Sequence, residues 1–253
     1  DSTANAVGDL HEEMRLCDSL IMKAADTARL PAGSALAEDR NLFSESVEEA
    51  ITEEKFINLE RKEMSLSQLS ADANVIIATG PLTSSRLSDE IAILSGRESL
   101  AFFDAIAPVV YTESIDFSKA WYQSRYDKNT ELNSSGDYIN CPLNKKEYDD
   151  FIDDLTSQEI IEFKSWEKET PYFEGCMPIE EMARRGRETL RFGPMKPVGL
   201  TNPHTDERPH AVVQLRQDNQ AASLYNMVGF QTKTRHSNQK QLFRRIPGLE
   251  NAE

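Results

Sequence analysis

The sequence predicts a mixed α/β fold with an inserted α+β unit, and three observations predict it. Apolar residues recur at helical spacing over 11–29, over 40–54 and again over 84–94. Between those stretches stands one β-branched run, Asn74-Val-Ile-Ile-Ala-Thr79, closed by Gly80-Pro81. From about residue 97 the texture changes to aromatic-rich strand patterns, a polar loop and one long amphipathic helix. The expected divisions are 1–96, an insertion over 97–170, and a return segment over 171–253.

His11–Arg29 reads as the first helix, with Met14, Leu20, Ile21, Ala24, Ala25 and Ala28 at helical spacing and Pro31 and Gly33 as the stop. Arg40–Glu54 is the second, with Leu42, Phe43, Val47 and Ile51 on one face. Phe56–Glu60 is a short strand candidate, and Asn74–Thr79 reads as a buried strand. Ser84 caps a helix through Leu94, because Leu87, Ile91 and Leu94 follow at i, i+4 and i+7. Ala107–Ile115 reads as a strand, Ala120–Tyr126 as an aromatic-rich stretch and Lys128–Gly136 as a loop. Asn144 caps a helix over about Lys145–Glu162, with Tyr148, Phe151, Ile152, Leu155 and Ile160 apolar. Residues 170–210, rich in Pro and Gly, are expected to form long loops. Two strands follow, Ala211–Leu215 and Leu224–Phe230; Ser237 then caps a last helix, Gln239–Ile246, ended by Pro247-Gly248.

A length of 253 residues suits one large domain or two small ones. The 39% apolar content supplies a core and argues against wholesale disorder. No apolar run reaches the roughly 18–20 residues that a membrane span needs, so no membrane partner is expected. Cys17, Cys141 and Cys176 are odd in number and lack C-x-x-C spacing. They argue against a disulfide framework or zinc ribbon and for a reducing, cytoplasmic setting. His11, His204, His210 and His236 show no metal-ligand spacing, so no metal site is expected. No signal peptide is read at the start, and the two ends, Asp1 and Pro247-Gly-Leu-Glu-Asn-Ala-Glu253, read like cuts from a longer protein.

The net charge of −15 is uneven: residues 171–253 hold 12 Lys/Arg against 9 Asp/Glu, whereas 1–170 hold 16 against 34. An acidic body repels nucleic acid, but a mildly basic last third is able to contact phosphates locally. Arg184, Arg185 and Arg187, with Arg191 and Lys196, are the first cluster for that role. Lys233, Arg235, His236, Lys240, Arg244 and Arg245 form a second. A solvated helix face explains either cluster equally well.

Two short segments point to chemistry. The Ala78-Thr-Gly80 strand end places small residues where a backbone passes close to a ligand, although a plain strand-to-turn Gly-Pro has the same look. Cys176, in Phe173-Glu-Gly-Cys-Met-Pro178, precedes a helix start and Arg184-Arg185; such a thiol is either a nucleophile with lowered pKa or a small packed residue.

Taken as a set, these segments carry a more specific resemblance. Ser19-Leu-Ile-Met-Lys-Ala-Ala-Asp26, Leu30-Pro-Ala-Gly33, Ala78-Thr-Gly-Pro-Leu-Thr-Ser84, Ser124-Arg-Tyr-Asp127 and Tyr138-Ile-Asn-Cys-Pro142 lie in the first part of the chain. Phe173-Glu-Gly-Cys-Met-Pro178, Phe192-Gly-Pro-Met-Lys-Pro-Val-Gly-Leu200 and Ile246-Pro-Gly-Leu-Glu-Asn-Ala-Glu253 lie in the second. Across essentially its whole length the chain resembles the folate- and FAD-dependent tRNA uracil-5 methyltransferase family (TrmFO).

The resemblance implies part of an FAD-binding fold of two-dinucleotide type carrying an inserted α+β domain. It implies FAD, NAD(P)H and 5,10-methylenetetrahydrofolate as cofactors and tRNA as partner, the carbon going to C5 of a T-loop uridine. Thr79, Gly80 and Pro81 match the strand end beside the flavin, and Cys176 matches a family cysteine near it. Contact of Arg184, Arg185, Arg187 and Lys196 with tRNA is expected from charge alone. The family's Gly-x-Gly-x-x-Gly turn and its Cys-Ser-Asn-Ser segment do not occur in this sequence, nor does its C-terminal flavin-contacting strand and helix. The chain alone is therefore expected neither to hold FAD tightly nor to catalyse. Two other readings stand beside this one: a flavoprotein relative that modifies wobble uridines, and a non-catalytic binding or scaffold module.

Overall fold

A computed structural model of the chain describes residues 2–70, 72–80, 83–96, 107–127, 135–159, 177–205 and 207–253. The expected first helix is two. In α1 (Ala6–Leu16) the Asn5 side chain caps the N-terminus by accepting from the Gly8 N–H; in α2 (Leu20–Thr27) Ser19 does the same for Met22. Asp18 between them stands at φ 59, a left-handed backbone that no helix interior holds. A two-residue ribbon follows, β1 (Arg29–Leu30) antiparallel to β2 (Ala37–Glu38). Asp39 caps α3 (Arg40–Glu53) by accepting from the N–H groups of Asn41 and Leu42. Ser84 caps α4 (Ser85–Ser95), which ends at the left-handed Gly96.

Two strand expectations fail here. Neither 56–60 nor 74–79 forms a strand; both are exposed, and Ile76 is 91% accessible. A β-branched run becomes a strand only when a neighbour takes its N–H and C=O groups. Among the described residues no strand lies beside either run.

The second body is built on one antiparallel sheet. Its strands are β3 (Val109–Tyr111), β4 (Trp121–Tyr122), β5 (Tyr138–Leu143), β6 (Ala211–Gln217) and β7 (Leu224–Met227), in the order β3-β7-β6-β5-β4. In register, Cys141 faces Val213, and Leu215 stands between Ile139 and Met227. The sheet therefore draws on both the 97–170 and the 171–253 spans. Helix α5 (Lys145–Ser157) starts in a reciprocal cap: the Glu147 N–H donates to Asn144 Oδ1 at 3.0 Å, and the Asn144 N–H to Glu147 Oε2 at 2.8 Å. Its Tyr148, Phe151, Ile152 and Leu155 fall on one side and pack into a core with Ile139, Cys141, Leu143, Val213, Leu215 and Phe230.

Within the stretch expected as loops stand α6 (Ile179–Arg185) and α7 (Thr189–Phe192). The last helix, α8 (His236–Phe243), begins before Ser237, which lies in its first turn and does not cap it. On the opposite face of β6, Val212 packs with Trp121 and Leu200, while Gln214 donates to Asn140 Oδ1 at 2.9 Å. The 29–40 region is pinned to this sheet. The Gly33 N–H donates to Asp137 Oδ2 at 2.8 Å, the Tyr138 hydroxyl to the Ala32 carbonyl at 2.7 Å, and the Gln220 N–H to Asp39 Oδ2 at 2.9 Å. Among the described residues, no helix is long and apolar enough to cross a membrane.

Candidate functional site

The first site segment is the turn after residues 75–79. Gly80 takes φ +69, where L side chains are strained, and open space lies where a Cβ would stand. The turn is closed by hydroxyls: Thr79 Oγ1 and Thr83 Oγ1 lie 2.7 Å apart, and Thr83 Oγ1 donates to the Gly80 carbonyl at 2.8 Å. This leads directly into the Ser84 cap of α4. Thr79 and Gly80 thus sit on an exposed backbone with an unobstructed approach; Pro81 lies outside the described residues.

Cys176 also lies outside them, but the segment that follows it is fixed. Met177 and Ile179 are buried, and the Ile179 N–H donates to the Gln231 carbonyl at 2.8 Å. Behind them the buried Glu180 carboxylate accepts from the Thr232 hydroxyl, the Thr234 hydroxyl at 2.8 Å, the Lys233 N–H at 3.2 Å and the Thr234 N–H at 3.1 Å. Lys233 is itself buried, its Nζ 3.0 Å from Glu181 Oε1. Burial pushes the Lys233 pKa down while Glu181 pulls it up. The sequence groups Lys233 with an exposed basic cluster, and the structure removes it from that cluster. The local sign of this is its place between two threonines, Thr232 and Thr234, whose hydroxyls serve a buried acid.

The basic cluster divides. Arg187 is bound to α5: Nη2 donates to Asp153 Oδ2 at 3.0 Å and to the Asp149 carbonyl at 2.8 Å, and Nε to Asp149 Oδ1 at 3.3 Å. These bonds raise its pKa and hold Asp153 below the usual carboxylate range, and Asp149 is held low by Lys145 first and by Arg187 beside it. Arg184 pairs with Glu181 at 2.9 Å. Arg185 and Lys196 are exposed and have no ion pair among the described residues. Lys196 closes a turn with Gly193, next to Phe192, whose ring is on the surface. In the second cluster Lys240 and Arg244 face Glu253, and Arg245 pairs with Asp154. No group of three His, Cys, Asp or Glu among the described residues is placed to hold a metal ion.

Comparison with known proteins adds the following. The family model described as "Glucose inhibited division protein A" matches residues 2–253. A protein of Azorhizobium caulinodans named methylenetetrahydrofolate–tRNA-(uracil-5-)-methyltransferase TrmFO is 57% identical over 254 aligned residues, covering 100% of this chain and 54% of its own length. A protein of the same name from Rhodopseudomonas palustris is 58% identical, with 100% and 53% covered. The chain spans about half the length of the curated relatives it matches. A solved structure of Aquifex aeolicus GidA overlays 66% of this chain and 25% of its own at 16% identity, with a TM-score of 0.34.

Proposed function

The chain belongs to the glucose inhibited division protein A family, and from that membership we propose that it is part of a flavoprotein that methylates tRNA. In this reading the one-carbon unit of methylenetetrahydrofolate goes to C5 of the T-loop uridine, with FAD as cofactor and NADPH as reductant. The observation that carries it is the 57–58% identity, sustained over the entire chain, to relatives whose name states that reaction. Residues 1–96 are assigned to the FAD-binding domain and the antiparallel sheet to the insertion. The cytoplasm, where tRNA is modified, is the proposed location.

The residues present fit a flavin at one place. Thr79 and Gly80 offer an exposed backbone with open space where a Cβ on Gly80 would stand, and Pro81 is assigned to the cofactor with them. When bound, the flavin supplies electrons and carries the activated carbon. The chain's own part is positioning and nucleophilic activation. Cys176 is assigned as a thiolate that adds to C6 of the uracil, which makes C5 nucleophilic; the thiolate leaves as C5 loses its proton. The Ile179–Gln231 bond and the Glu180 cluster anchor the segment that follows it. Arg185 and Lys196 are assigned to tRNA phosphates, and Arg184 and Arg187 join them only by exchanging carboxylate partners for phosphate.

The test is to express the complete reading frame that contains this chain and supply NADPH, isotope-labelled methylenetetrahydrofolate and unmodified tRNA. Labelled methyl on the T-loop uridine is the expected result. A flavin-loaded protein that leaves that uridine unlabelled, or that modifies the wobble uridine, sinks the reading.

A further inference from the structure

A second surface stands where the segment 123–127 meets 198–201. Tyr126 and Asp127 hold left-handed backbones, with φ 58 and 54, which non-glycine residues seldom adopt. Their neighbours impose them. The Tyr126 N–H donates to the Gly199 carbonyl at 2.8 Å, and the Asp127 N–H to the Ser124 carbonyl at 3.0 Å. Ser124, buried, accepts from the Asp137 N–H at 3.0 Å. The corner is thus built from β5, β4 and the 198–201 turn together, and it aims Tyr126 outward. The phenol ring lies along Gly199, where an added Cβ would come within 3.0 Å of two ring carbons. Even so the residue stays 61% exposed. Backbone strain held in place by surrounding structure gathers at binding and catalytic sites.

The charges beside this ring are unusual for so acidic a chain. Arg125 is half-buried and donates from Nη1 to the Val198 carbonyl at 2.8 Å. Burial pushes its pKa down, and no carboxylate among the described residues counters the effect. Arg216, paired with Tyr138 across β5 and β6, acts on the same Tyr138 phenol as Arg125 does. Neither arginine has an ion pair among the described residues, whereas Arg15, Arg40, Arg61, Arg187 and Arg245 all do. The neighbouring acids are engaged elsewhere: Asp127 accepts from Gln123 Nε2 at 2.8 Å and Asp137 from the Gly33 N–H.

We propose that this corner is a nucleotide seat, in which an unpaired base of the RNA substrate stacks on Tyr126 while Arg125 and Arg216 take the adjoining phosphate. It rests on the reading that the protein acts on tRNA. An exposed aromatic ring with guanidinium groups that lack acidic partners among the described residues is the pairing that single-stranded RNA uses, because every base has a stacking face and every linkage an anion. Lys196 stands two residues before Val198, whose carbonyl Arg125 holds.

The test uses the full-length protein with bound flavin, and measures tRNA affinity over a salt series for wild type, Tyr126→Ala, Tyr126→Phe and Arg216→Gln. Tyr126→Ala is expected to weaken binding by about 5- to 100-fold, the range of one lost base stack, and Tyr126→Phe to restore it. Arg216→Gln is expected to weaken binding and to lower the slope of log affinity against log salt by about 1. Flavin content should be the same in all four. Variants that bind tRNA as wild type does overturn the seat and leave the methyltransferase reading standing. Variants that bind tRNA normally but show a raised KM for methylenetetrahydrofolate also overturn it, and assign the ring to the folate. Wild-type protein without tRNA affinity overturns both readings.

Discussion

Glu180 shows how much one residue fixes here. A carboxylate out of water is tolerated because four donors surround it, two hydroxyls and two N–H groups from Thr232, Lys233 and Thr234. Glu180→Ala strands those donors and is expected to cost roughly 2–4 kcal/mol in urea unfolding, with Glu180→Gln milder because it keeps one acceptor. The thiols give a second residue-level expectation. Burial pushes the Cys141 pKa far up, whereas Cys17 is exposed. Iodoacetamide followed by mass spectrometry should label Cys17 in the native protein and Cys141 only after denaturation. The nucleophile reading of Cys176 requires it to label faster than Cys17 at neutral pH; equal or slower labelling removes the thiolate. Chemistry at this scale is partly legible from sequence. Charge runs announce sign but not partner, and the partners of Arg187 sit 34 and 38 residues away on another helix. Nothing local to Met182–Arg187 distinguishes the paired Arg187 from the exposed Arg185.

At the scale of elements, Asp39 does two jobs, capping α3 and clasping the turn after β6 through the Gln220 N–H. Those backbone donors, Gln220 first, hold its pKa below the usual carboxylate value. A depressed folded-state pKa stabilises the fold fully above the unfolded carboxylate pKa, near 4, and the contribution fades as pH falls through the lower folded value. Unfolding midpoints should therefore drop between about pH 4 and pH 2, and Asp39→Ala should flatten that part of the curve while lowering stability at neutral pH by about 1 kcal/mol. An unchanged acid slope in the variant would place the effect elsewhere. Caps are the most legible features of the sequence, and the reason is their locality. Asn144 and Ser84 act within three residues, and both helices begin where their caps stand. The failures are instructive for the same reason. The 11–29 periodicity runs through the break at Asp18, where Ser19 caps a new helix, and Ser237 lies too deep in the first turn to cap α8.

For the whole molecule, the telling contrast lies between the two ends of the chain. Every member of the principal core falls between Val110 and Ala252. The span 1–96 instead exposes Val7, Leu10, Leu16, Phe56, Ile57, Ile76, Ile93 and Leu94, and α3 buries no residue at all. Surface this apolar calls for a covering partner. The run 74–79 has strand chemistry, but pairing belongs to the neighbour as much as to the run, so its β-branching is legible and its isolation is not. The chain spans about half the length of its relatives, and the flavoprotein reading predicts that the neighbour comes from the rest of that length. Hydrogen exchange separates the cases. In the 253-residue chain the amides of 75–79 should exchange fast and proteases should cut first within 54–80, leaving the sheet body of 107–253. In the full-length protein the same amides should become protected, and Ile76→Asp should lower both that protection and the bound flavin. Fast exchange at 75–79 in both forms would mean that the run never enters a sheet, and Thr79 and Gly80 would then have no rigid strand end from which to meet a cofactor.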